Sequence, residues 1–178
     1  VVMRKGAIMA IASPNVTSIA IGKSITAEEL GGWKLLTGIS GLADMAVDTD
    51  EQALAAVKRF LSYLPAHSME APPEHPVPAG SNDACRKMLE IVPEERNKVY
   101  DVRKVIAAVA DKDSSFELKD RYGRSVATVL ARLDGRSVGF IANNPMFKGG
   151  ALDADACQKT TSFMVLCDSF NIPIVFLV

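Results

Sequence analysis

GRSVGFIANNPMFKGGALDADACQKTTSFMVLCDSFNIPIVFLV, residues Gly135–Val178, is the stretch whose reading decides the fold. Arg136–Ala142 has the β-branched and apolar content of a buried strand. Asn143-Asn144-Pro145 stops it, because Pro145 biases Asn144 away from the helical region. Gly149-Gly150 then permits backbone geometries that a side chain forbids. Asp153 and Asp155 stand where a helix N-terminus favours negative charge. Ala156, Thr160, Phe163, Cys167 and Phe170 share one helical face, which Val165 and Leu166 extend. After Asn171 and Pro173 come the five apolar residues Ile174–Val178. A strand apolar on both faces belongs inside a sheet covered on both sides. With nothing following it, the expectation is that the chain is a piece of a larger protein.

Immediately upstream, Asp134-Gly135 is a two-residue hairpin signal between strands expected over Ser125–Leu133 and Arg136–Ala142. A short strand is expected over Ser115–Lys119. A helix is expected near Val102–Ala110, with Val102, Val105, Ile106 and Val109 at helical spacing. Between His67 and Asp83 stand Pro72, Pro73, Pro76, Pro78 and Gly80, a linker composition that marks the best domain boundary. Cys85–Val92 adds a short element. In the first part, Ala7–Ala12 reads as a strand, and Ser13-Pro14-Asn15 as a helix start. Thr26-Ala27-Glu28-Glu29 and Thr49-Asp50-Glu51-Gln52 read as capping boxes. The first opens a short helix that Gly31-Gly32 ends. A strand over Leu42–Val47 precedes the second, whose helix carries Leu54, Val57, Leu61 and Leu64 on one face until Pro65. Strands and helices mixed on both sides of a proline-rich connector make the chain α/β.

Twenty Lys and Arg against 21 Asp and Glu leave a net charge of −1, which gives no reason to expect nucleic acid or an anionic membrane as partner. No apolar run reaches the roughly 18 residues of a membrane helix. GxGxxG, the Walker loop and HExxH are all missing from the 178 residues. Cys85, Cys157 and Cys167 read as reduced, buried cysteines. His67 and His75 fall in the linker and read as solvated bystanders. Asp153 and Asp155 read as helix-start carboxylates in preference to a metal pair. Lys159 reads as solvated or salt-bridged, with a phosphate or acidic ligand as the alternative. The informative candidate is the loop Asn143–Leu152, where two glycines before a helix can present backbone N–H groups to an oxygen that gains charge.

Across nearly the whole chain these residues resemble the carboxyltransferase β-subunit of biotin-dependent acyl-CoA carboxylases. ITAEELGG at Ile25–Gly32, SGLAD at Ser40–Asp44 and DEQALAAVKRFLSYLP at Asp50–Pro65 carry the likeness in the first part. YDVRKVI at Tyr100–Ile106, ARLDGRSVGFIANNP at Ala131–Pro145 and GGALDADACQKTTSFMVLCDSFNIP at Gly149–Pro173 carry it in the second. The resemblance implies a crotonase-like (ClpP/crotonase) fold of ββα units, with parts of two such domains. Residues 1–66 would end the N-terminal carboxyltransferase domain, 67–99 form the linker, and 100–178 begin the C-terminal one. It implies carboxyl transfer from carboxybiotin, carried on a partner biotin carrier or biotin carboxylase subunit, to the α-carbon of an acyl-CoA. The active site would lie between subunits of a cytoplasmic homo-oligomer. Asn143, Asn144, Gly149, Gly150 and Ala151 would stand near the biotin side. The family's glycine-rich oxyanion segments would fall outside Val1–Val178, so no catalytic residue and no metal ligand is expected here, and the piece alone should be inactive. The family often has His where Leu36 stands and Ala where Trp33 stands. The alternatives are a non-catalytic acyl-CoA-binding or assembly module, or a subunit of a biotin-dependent acyl-CoA decarboxylase.

Overall fold

In the computed structural model, which describes residues 1–81, 83–95 and 98–178, strand β1 (Val2–Arg4) pairs in parallel with β2 (Met45–Val47). Between them run three short helices, α1 (Pro14–Ile21), α2 (Ala27–Gly31) and α3 (Trp33–Gly38). Ser13 caps α1 with Pro14 at its first position. Thr26 and Glu29 close a full reciprocal capping box on α2. Thr26→Ala removes the side-chain acceptor of that box, and about 1 kcal/mol of stability should go with it. A lowered denaturation midpoint would register the loss, and an unchanged midpoint would refute it. Helix α3 follows at once, and crowding explains the glycines between the two. A Cβ on Gly31 would lie 2.1 Å from the Met9 carbonyl oxygen.

Helix α4 (Asp50–Leu61) follows β2. Thr49 accepts from the Gln52 amide, but the Gln52 side chain returns to the Asp48 N–H instead of the cap residue. Its buried face differs from the one expected. Leu54, Val57 and Leu61 are exposed, while Ala56, Phe60, Tyr63 and Leu64 pack into the core. Two apolar stripes run along this helix, and the one bearing the aromatic rings meets Phe116. The strand expected over Ala7–Ala12 is likewise not formed. Gly6 at φ 86° turns the chain, so pairing ends at Arg4 and only Ile8 makes an isolated bridge, to Gly32.

The proline-rich segment is extended and pinned to the second part. The His75 N–H donates to the Gly135 carbonyl at 2.9 Å. The Asn171 side-chain amide donates to the Ser68 and Glu70 carbonyls at 2.6 and 2.9 Å. A 3-10 turn at Cys85–Lys87 leads into α5 (Met88–Ile91), and α6 (Val102–Val109) follows with Val102 and Ile106 buried. Of its expected apolar face, Val109 is exposed.

Strands β3 (Phe116–Leu118), β4 (Val126–Leu133), β5 (Arg136–Asn143) and β6 (Ile174–Leu177) form one sheet in that order. β3, β4 and β5 are antiparallel neighbours, and β6 joins β5 in parallel after helix α7 (Ala154–Ser169). The hairpin turn is the one expected. Asp134 and Gly135 have φ of 50° and 77°, the left-handed pair of a type I′ turn. The Asp111 carboxylate accepts from both of their amides. β4–β5–α7 is thus a ββα unit, with β6 beside β5.

One face of the sheet packs Leu130, Ile141 and Val126 against α7 and against Ala56 and Tyr63 from the first part. The other face packs Val129, Ala131 and Phe140 beneath α6. β6 pairs with β5, and Phe176 on it is exposed. One expectation is corrected here. Of the three free cysteines only Cys167 is buried; Cys85 and Cys157 are exposed, the latter because it points off the solvent side of α7. Among the described residues, no helix is long and apolar enough to cross a membrane.

Candidate functional site

β5 hands the chain to the loop that contains Asn143, Asn144, Gly149, Gly150 and Ala151, and this loop is built as a rigid turn. Asn144 is fully buried. Its N–H donates to the Ser125 carbonyl at 2.7 Å, and its side-chain amide donates to the Arg124 carbonyl at 3.2 Å. Its side-chain oxygen accepts from the Met146 N–H at 3.3 Å. Asn144 therefore ties the loop to the connection between β3 and β4. Asn143 ends β5 half-buried.

Lys148, Gly149 and Gly150 then take consecutive left-handed conformations, with φ of 51°, 62° and 77°. A Cβ on Gly149 would meet open space, so conformation and not crowding is what calls for glycine there. The Gly150 and Ala151 amides donate to the Phe147 and Lys148 carbonyls at 2.9 and 3.2 Å. These two amides are committed within the turn, and the loop's surface is shaped by small residues.

Beyond the turn, Asp153 caps α7 by accepting from the Ala156 N–H at 2.9 Å, and Lys148 pairs with its other oxygen. That pair holds the Asp153 carboxyl below its ordinary range and the Lys148 ammonium above its own. Asp155 accepts from the Tyr122 hydroxyl at 3.0 Å. Burial, with this contact second, raises the Tyr122 pKa. No group of three metal-binding side chains occurs among the described residues, and both aspartates act as helix-start carboxylates. His67 and His75 are exposed on the linker.

Lys159 is the main departure from the sequence reading. It is 1% exposed and makes neither a solvated nor a salt-bridged contact. Its ammonium donates to the Val126 carbonyl at 2.7 Å and the Tyr122 carbonyl at 3.1 Å. Burial lowers its pKa to about 8. It clamps the Tyr122–Val126 connection onto α7, and that connection in turn holds Asn144. The signal was present in the spacing, since Lys159 lies between Ala156 and Phe163 on the buried face. Arg124, which the sequence does not single out, lays its guanidinium 3.8 Å from the centroid of Phe147 in the loop.

A family model described as the carboxyl transferase domain matches residues 1–178. The propionyl-CoA carboxylase carboxyltransferase subunit of Haloferax mediterranei is 39% identical over 167 residues, 94% of this chain and 32% of that protein. The methylmalonyl-CoA decarboxylase α subunit of Veillonella parvula is 36% identical over 170 residues, 94% of this chain and 33% of that protein. A crystal structure of the transcarboxylase 12S hexamer, with hydrolysed methylmalonyl-coenzyme A bound, matches with a TM-score of 0.91 at 39% identity. That match covers 99% of this chain and 35% of the other. The chain spans about a third of the length of these relatives.

Proposed function

The chain belongs to the carboxyl transferase domain family, and on that premise we propose that it is part of the carboxyltransferase subunit of a biotin-dependent acyl-CoA carboxylase. Its fold is the crotonase-like α/β fold of that family. The observation that carries the proposal is the family match along the whole chain, joined to a ββα unit whose loop precedes α7.

In this reading, carboxybiotin would supply the carboxyl group to the α-carbon of a thioester enolate, and the biotin N1 that gives up the carboxyl group would take the α-proton. Main-chain N–H groups aimed at the enolate oxygen and at the biotin ureido oxygen stabilise the charge that develops. Such chemistry needs no side-chain triad. Asn143, Asn144, Gly149, Gly150 and Ala151 supply the rigid wall on the biotin side, and Asn144 and Lys159 keep it in place. Residues 1–66 and 100–178 belong to two successive carboxyltransferase domains joined by the 67–99 linker. Biotin arrives on a carrier or biotin carboxylase subunit, and the whole protein works as a cytoplasmic homo-oligomer. The hydrolysed methylmalonyl-coenzyme A bound to the transcarboxylase, and its hexamer, support the substrate class and the assembly.

The test is carboxyl transfer by the full-length polypeptide supplied with labelled carboxybiotin and acetyl-, propionyl- or butyryl-CoA. Label in the acyl product is expected; no transfer to any of the three overturns the reading. Decarboxylation is the second reading, favoured by the Veillonella relative. It predicts release of carbon dioxide from methylmalonyl-CoA in the presence of biotin and without ATP.

A further inference from the structure

Lys34 on α3 and Arg121 and Arg124 on the β3–β4 connection line one cleft of 410 Å³, together with Gly38, Ile39 and Asp120. Three cations against one carboxylate make this cleft strongly positive on a chain whose net charge is −1. Among the described residues, none of the three cations forms an ion pair. Lys5, the next cation near them, differs in being held by Asp48 at 2.6 Å.

All three of these side chains lie against aromatic rings. The Arg121 guanidinium stands 5.1 Å from the Trp33 ring centroid, and Lys34 stands 5.7 Å from the same ring. Arg124 lies on Phe147. A stacked guanidinium keeps its in-plane N–H groups free, and that fork matches phosphate oxygens in pairs. Lys5, Lys34 and Arg121 are all drawn to the Trp33 ring and repel one another, and an anion seated beside Lys34 and Arg121 reduces that repulsion. The concavity suits a small ligand, and the overall charge argues against a long polyanion.

We propose that the cleft formed by Lys34, Arg121 and Arg124 is a binding site for a phosphate-bearing small molecule, a diphosphate or a phosphomonoester. The inference does not depend on carboxyl transfer, and its test measures no turnover.

The experiment is calorimetric titration of inorganic pyrophosphate into the full-length protein at low ionic strength. Saturable binding is expected. In Arg121→Gln/Arg124→Gln it should weaken at least tenfold or lose one site per chain. Lys34→Gln should weaken it several-fold, and Lys58→Gln, an exposed lysine on α4, should leave it unchanged. All these side chains are exposed, so unchanged melting temperatures will confirm that the variants fold. No saturable binding in the wild type, or equal affinity and stoichiometry in wild type and the double variant, overturns the proposal. Competition separates the sources of the phosphate. Displacement by coenzyme A but not by dephospho-coenzyme A assigns the site to the 3′-phosphate, whereas equal displacement by ADP assigns it to a diphosphate; both support a phosphate site.

Discussion

Phe163→Ala should lower the free energy of unfolding by about 3–5 kcal/mol, the range for removing a buried phenyl group whose surroundings cannot collapse. Phe163 is 3% exposed and anchors α7 to the sheet. Its ring presses on β5 where that strand carries Gly139, and a Cβ there would lie 3.0 Å from Phe163 Cε1 and 2.7 Å from Cys167 Sγ. Helix and strand therefore approach closely enough that the strand must give up a side chain. Gly139→Ala alone should also destabilise, through overpacking, by roughly 1–3 kcal/mol. In one variant the two changes should cost less than their sum, because truncating Phe163 removes two of the three atoms nearest the new methyl group. Denaturant unfolding of the two single variants and the double variant measures this coupling. Strict additivity would mean that helix and strand are not in this register.

The second large effect is a pH dependence set by Lys159. Its folded pKa is about 8 against an ordinary 10.5, so between those values the unfolded chain binds more protons than the folded one. Stability then rises with pH. The rise is at most about 3 kcal/mol across the whole window, since one pKa unit is about 1.4 kcal/mol. Below pH 8 both states carry the charge, and its burial is a constant penalty. The neutral amine can still donate to Val126 and Tyr122, so the clamp survives deprotonation. Cys167 works the other way, because burial lifts its thiol from 9.0 to about 11 and stability falls across that interval. Wild type should therefore gain stability between pH 8 and 9 and level off above. Lys159→Met should lose the gain. Parallel stability curves for the two proteins from pH 7 to 10 would show that Lys159 is not charged and buried as described.

Legibility in the sequence followed the range of the interactions. The turn at Asp134-Gly135, the Thr26–Glu29 box and the Asp153 cap are each fixed within a few residues, and each formed where the sequence placed it. β1 escaped notice because three residues become a strand only by pairing with β2 some forty positions on. The α4 face was misassigned because periodicity finds apolar stripes but does not choose between two of them; Phe116, across the linker, makes that choice. Lys159 was read by its charge, while its position on the Ala156–Phe163 face governs where it goes. In the candidate loop, the glycine pair and its conformational role were visible. That Asn144 is a strut and that the Gly150 and Ala151 amides close the turn depended on Arg124, Ser125, Phe147 and Lys148, partners that no local pattern names.

The core that joins Ala56 to Ala156 spans about a hundred positions of chain. At roughly 5–20 residues per second of synthesis, a ribosome needs about 5–20 s to cover that distance. By the end of that interval Phe60 and Tyr63 have left the exit tunnel while Phe163 and Cys167 have yet to be made. The nascent first part must wait with its aromatic face uncovered until α7 is made.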